Sequence, residues 1–171
     1  MATRSTVTIS AASLAIGIAA GLGIGKVAFS PEPTPDAFMV RCVSVYDGDT
    51  ISVEYRGNVE KVRLLGIECV EMKKGKKLAA QAQKYRVDEK VISQLGRLAK
   101  AYTSKQTLEK DVDLVFPSGK EKRDGFGRLL AYVEVNGNDI GEKLLTYGQA
   151  DLYPAPHSRQ EHYRRVVDLP P

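Results

Sequence analysis

The sequence predicts an α+β domain, mainly β: a five-stranded Greek-key barrel with packed helices, preceded by one N-terminal transmembrane helix. Three observations predict it. Five β-prone runs are bounded by turn residues and interrupted by one long helical stretch. Hydrophobic residues make up 43% and charged residues 27% of the 171 positions, enough to bury the core of one domain. The first 30 residues carry only two charges, Arg4 and Lys26, ahead of a proline-rich spacer.

Phe38–Tyr46 contains Val40, Cys42, Val43 and Val45 and reads as the first strand. Asp47-Gly48-Asp49 is a turn signal. Thr50–Tyr55, with Ile51 and Val53 on one face, is the second strand, and Arg56-Gly57-Asn58 turns the chain into a third, Val59–Ile67. Lys77–Tyr102 reads as one helix, on a stripe of Leu78, Ala82, Tyr85, Val91, Leu95 and Leu98. Asp111–Phe116 and Arg128–Val135 supply two more strands, ended by Pro117-Ser118-Gly119 and Asn136-Gly137. Asp139–Tyr147 is a short helix stopped by Gly148, and Gln160–Val167 a last helical segment before Pro170 and Pro171. The order β-β-β-α-β-β-α-α fits a small barrel of the oligonucleotide-binding type.

Ahead of this domain, Ser5–Gly25 contains no charge and is long enough to cross a bilayer, which takes about 20 helical residues. Gly17, Gly21 and Gly25 fall on one helical face, a spacing that lets a partner helix approach closely in lipid. In a water-soluble helix each glycine would cost about 1 kcal/mol relative to alanine, which favours the membrane reading. The alternatives are a cleaved secretory signal, with Ala28 and Ser30 before the cut, and an organellar targeting segment. The expected division is 1–30 as anchor or signal, 31–37 as stiff proline-rich linker, and 38–168 as the folded domain. The location expected is a single-pass membrane protein of a cell envelope or organelle, or a secreted one if the segment is removed.

Two cysteines exclude a disulfide-dense scaffold and a four-cysteine zinc site, and two histidines argue against a histidine-rich metal centre. Cys42 and Cys69 pair only if the fold brings their α-carbons within about 7 Å. Arg4 and Lys26 carry half of the formal net charge of +4, so the folded part is close to neutral. A nucleic-acid partner would then be met by local clusters: Lys73, Lys74, Lys76 and Lys77, or Lys120, Lys122 and Arg123. The same lysines also suit a solvated loop.

Acids and arginines concentrate in three places: Asp47-Gly48-Asp49-Thr50, Arg63 through Glu71, and Arg123 through Arg128. Phosphodiester hydrolysis requires such a set. A hard divalent cation takes oxygen ligands. A carboxylate accepts a proton from the attacking water. Guanidiniums hold two phosphate oxygens at once and offset the charge that grows in the transition state. Taken singly, each residue also fits a bland role as turn cap, strand ion pair or loop acid.

Taken together and in order, Asp47-Gly48-Asp49-Thr50, Arg63-Leu64-Leu65-Gly66-Ile67, Glu71 and Asp124-Gly125-Phe126-Gly127-Arg128 resemble the staphylococcal nuclease (thermonuclease) family across Phe38–Val167. The resemblance implies an oligonucleotide-binding barrel and a calcium-dependent phosphodiesterase acting on DNA and RNA, other divalent cations being an alternative. It implies Asp49, Glu68 and the carbonyl of Cys69 as metal ligands, Glu71 as general base, and Arg63 and Arg128 as the phosphate clamp. Phe126, where the family often has tyrosine, and Tyr153 become stacking candidates, with Lys73 and Lys74 as further substrate contacts. Glu68-Cys69-Val70-Glu71 stands where the family has Asp-Thr-Pro-Glu, so the second acid is one methylene longer and the turn before Glu71 lacks its proline. That departure, with the glycine-faced span and the near-neutral charge of the domain, motivates a rival reading, an inactive nuclease-like subunit of a membrane complex; a nucleic-acid binder that does not cut is a further alternative.

Overall fold

The computed structural model describes residues 37–117 and 121–168. The expected membrane segment with Gly17, Gly21 and Gly25, and most of the proline-rich linker, lie outside the described residues. Among the described residues no helix is long and apolar enough to cross a membrane.

Three strands, β1 (Ala37–Val45), β2 (Thr50–Tyr55) and β3 (Asn58–Leu64), form the expected antiparallel meander. β1 does double duty. Its first half pairs with β5 (Asp111–Val115) and its second half with β2, with a bulge between Cys42 and Ser44 where the strand bends. β6 (Leu129–Val135) pairs antiparallel with β5 and parallel with β3, so the order β3-β2-β1-β5-β6 closes on itself as a five-stranded barrel. Alternate side chains point inward and fill it: Ile51, Val53 and Tyr55, Val62 and Leu64, Val112 and Leu114, Leu129, Ala131 and Val133 are all buried.

The third strand departs from expectation. It stops at Leu64, and Gly66, at φ +77°, turns the chain before a separate β4 (Ile67–Cys69). β4 pairs with β8 (Ala150–Leu152), a strand with too few residues to show a period in the sequence. A two-residue β7 (Asn138–Asp139) extends the edge beside β6.

The single long helix is two: α1 (Lys76–Tyr85) and α2 (Glu89–Thr107). Arg86, at φ 55°, leaves the helical region and caps α1. The break resets the helical phase. Val91 and Leu98, expected in the stripe, are 41% and 54% exposed, while Ile92, Gly96, Ala99, Thr103 and Thr107 face inward. The barrel wall selects for small residues, because they let the α2 backbone approach the strands. Thr103 donates to the Gly48 carbonyl at 2.7 Å, and Cys42 Sγ lies 3.6 Å from the Thr107 hydroxyl. Leu78, Ala82 and Ile92 form a satellite apolar cluster outside the barrel.

Beyond the barrel, α3 (Ile140–Thr146) starts at Asp139, whose carboxylate accepts from the Gly141 and Glu142 amides. α4 (Gln160–Asp168) buries Tyr163, whose hydroxyl donates to the same carboxylate at 2.7 Å. Both the barrel and the four helices among the described residues thus match the α+β class expected.

Candidate active site

Strand register gathers the predicted residues at one end of the barrel. Thr50 sits opposite Arg63 across β2 and β3, which places Asp49 beside that arginine. Arg63 sits beside Leu130 in the parallel β3–β6 pair, so Arg128 arrives from just before β6. The turn at Gly66 folds β4 back across this end, bringing Glu68 and Cys69. A cleft of about 470 Å³ results, lined by Asp47, Asp49, Arg63, Glu68, Cys69, Glu71 and Arg128.

Asp49 is the hub. It is buried, and its Oδ2 pairs with the Arg63 guanidinium and accepts from the Cys69 amide at 2.7 Å. The Thr50 hydroxyl donates to its Oδ1 at 3.1 Å. Arg63 also donates to the Ile67 carbonyl at 3.0 Å, which fixes the guanidinium plane against the bend of the chain. Arg128 is aimed differently. Its Nε donates to Asp124 at 2.7 Å, and the other oxygen of Asp124 accepts from the Phe126 and Arg128 amides. Burial alone would raise the Asp124 carboxyl, but these hydrogen bonds outweigh it and hold it below the usual range. One terminal nitrogen of Arg128 reaches the Thr50 hydroxyl at 3.5 Å, so the two arginines approach one threonine-aspartate pair from two sides.

Glu71 lies on the loop between β4 and α1 and lines the same cleft. Its Oε1 accepts from the amides of Met72 and Lys73 at 3.0 and 3.3 Å. Glu68 also lines the cleft and pairs with Lys77 at 3.1 Å. Asp47, part of the first acidic motif but with no expected ligand role of its own, accepts from the Asp49 amide. Burial first, and the Asp49 charge second, push its carboxyl up to about 6. Burial and the surrounding acids likewise push the Cys69 thiol up, so it is no nucleophile, and both cysteines are free and buried.

Other expectations land less directly. Lys73 and Lys74 are exposed on the loop and do not line the cleft; the lysines that do are Lys77 and Lys122. Phe126 is 87% exposed and also outside the cleft wall, its ring 5.5 Å from the Arg128 guanidinium. Tyr153 does line the cleft. Lys77 and Lys122 come from the two lysine clusters expected to meet nucleic acid, Asp124 belongs to the third motif but carries no expected role of its own, and His157 is not foreseen at all. Asp124 had a readable signal, its four-residue spacing to Arg128. His157 had none, because its place follows from the path of the chain after β8, which seats its ring over Gly66.

The donor chemistry suits a hard cation. Asp47 and Asp49 offer oxygen ligands only, and their mutual repulsion is what a bound cation would relieve. Among the described residues no three acidic, histidine or cysteine side chains converge on one point, since Glu68 is drawn to Lys77.

Comparison with known proteins agrees with this geometry. The family model described as staphylococcal nuclease homologue matches residues 61–169. The chain is 32% identical over 141 residues to a thermonuclease of Staphylococcus intermedius, covering 81% of this chain and 71% of that protein. It is 31% identical over 144 residues to an uncharacterized protein of Methanocaldococcus jannaschii, covering 78% and 68% respectively. It is 36% identical over 104 residues to the SPbeta prophage-derived endonuclease YokF of Bacillus subtilis, covering 61% of this chain but only 30% of that protein. With a family model spanning well over half its length and a thermonuclease relative covered over 71% of that protein, this chain belongs to the staphylococcal nuclease family.

Proposed function

We propose that the protein is a membrane-anchored, calcium-dependent phosphodiesterase that hydrolyses DNA and RNA. The observation that carries this reading is the convergence of Arg63, Arg128 and Glu71 on the cleft that also holds Asp49. Nuclease relatives support it. Arg128, presented by Asp124, takes the non-bridging oxygens of the scissile phosphate through its planar fork. Arg63 stands within the same cleft to offset the charge that develops on the phosphorus oxygens. Glu71 accepts the proton of the attacking water, a role worth about 100-fold to 10,000-fold in rate. Bound calcium would be held by Asp49, with Asp47 beside it and Glu68 once released from Lys77, and would supply Lewis-acid stabilisation of the phosphoryl oxygens. Tyr153 offers a ring to a neighbouring base. Residues 5–25 tether this activity to a membrane.

Purified full-length protein should cut single-stranded DNA in calcium and stop on chelation. Glu71→Gln should lower the rate by about 100-fold or more. Absence of cleavage in calcium, magnesium and manganese alike would overturn the reading. The chain should also stay with membranes through an alkaline carbonate wash, whereas protein beginning at residue 36 should be released. The rival reading, an inactive structural subunit, draws on one observation: Arg63 is committed to Asp49 and Glu68 to Lys77. It predicts no cleavage and stoichiometric co-purification with membrane partners.

A further inference from the structure

The turn before Glu71 has valine at position 70, and an ordinary residue there leaves the backbone free to choose among several conformations. Something else must hold the turn. The strand that precedes it, β4, lies outside the barrel, pairs among the described residues only with β8 and ends at Cys69. The remaining restraints come from α1 and α2. Gln81, on α1, accepts the Glu71 amide proton through its side-chain oxygen at 2.8 Å. Ser93, on α2, donates to the Met72 carbonyl at 2.8 Å, and Arg97 one turn later donates to the Ser93 hydroxyl at 2.9 Å. Gly96 lets the α2 backbone slide directly beneath. A Cβ there would stand 2.7 Å from the Val70 carbonyl oxygen, 2.8 Å from the Met72 side chain and 3.1 Å from the Glu71 carbonyl oxygen. Val70 itself packs into the satellite cluster of Leu78, Ala82 and Ile92.

We infer that the α1–α2 hairpin is the device that aims Glu71, with Gln81 and Ser93 as its positioning residues. The turn is clasped on its amide side by α1, on its carbonyl side by α2, and through the Val70 side chain by the small core that joins the two helices. The clasp leaves the Glu71 carboxylate free at one oxygen, since among the described residues only Oε1 accepts hydrogen bonds. Its kinetic consequence rests on the nuclease reading, because a displacement of about 1 Å at a reacting group lowers a rate by about 100-fold.

The test uses full-length protein, amide hydrogen exchange of Glu71, Met72 and Lys73, and cleavage kinetics on single-stranded DNA. Gln81→Leu and Ser93→Ala should each speed exchange of these three amides at least tenfold while the strand amides of β1, β2 and β5 keep their rates. Each should lower kcat about tenfold or more and leave KM within twofold. Gln81→Glu, which keeps an acceptor of the same reach, should restore slow exchange. Unchanged exchange and kcat in both Gln81→Leu and Ser93→Ala would overturn the inference, and so would strand amides that loosen in parallel. If the wild type cuts nothing yet the three amides respond as expected, the nuclease reading fails and the clasp stands.

Discussion

The two arginines of the cleft differ in how they are held. Arg63 rests against a buried carboxylate of its own site and shares its charge with whatever enters the cleft, whereas Arg128 is braced from behind by Asp124 and presents its outer edge to a ligand. Asp49, Arg63, Glu71 and Arg128 were legible in the sequence because each sits in a short motif with characteristic neighbours. His157 was not, and it brings a pH dependence. Its Nδ1 meets the Tyr132 hydroxyl at 3.0 Å, and its Nε2 is buried without a partner among the described residues. Burial holds its pKa below the ordinary value near 6.5, opposed by Asp139 and reinforced by Arg164. The folded chain therefore keeps His157 neutral at pH values where the unfolded chain takes up a proton. Its contribution to stability is full above about pH 6.5 and is lost as the pH falls through that value toward the folded pKa. Urea denaturation at pH 7.5 and pH 5.5 should show a loss of stability that His157→Gln reduces.

Elements were legible where the apolar period was regular and hidden where packing overrode it. α2 is the clear case: the large residues Val91 and Leu98 look outward, and Ala99 and Thr103 look inward. A pattern reading rewards bulk, but a helix laid close on a barrel wall needs the opposite. The division of β3 from β4 was hidden for another reason, since nothing apolar changes at Gly66. What changes is the backbone, at φ +77°, with the His157 ring where a Cβ would stand. Gly66→Ala combines backbone strain with a clash, and should lower the unfolding free energy by about 2–3 kcal/mol. Chemical denaturation would measure it, and a loss below about 0.5 kcal/mol would contradict the account.

At the scale of the molecule, one acid joins the barrel to the helices that follow it. Asp139 caps α3, accepts from Tyr163 of α4, and pairs with Arg159, which also pairs with Glu134 on β6. Asp139→Ala would leave four donors short of a partner and should cost about 3 kcal/mol, or roughly 10 °C in Tm. Calorimetry checks this, and an unchanged Tm would refute it. The Greek-key class was legible from the order of elements, but the joint that closes it was not. Residues 62–64 meet 129–131, and parallel partners so far apart leave no local trace in a chain.

That seam has a temporal consequence. The meander from Ala37 to Leu64 needs only hairpins to form, whereas Arg63 and Arg128 become neighbours only when the two ends of the barrel find each other. Long loops close late. On dilution from urea, far-ultraviolet dichroism should recover ahead of catalytic competence in a stopped-flow experiment. Newly made chains would thus hold ordered strands before they are able to damage nucleic acid.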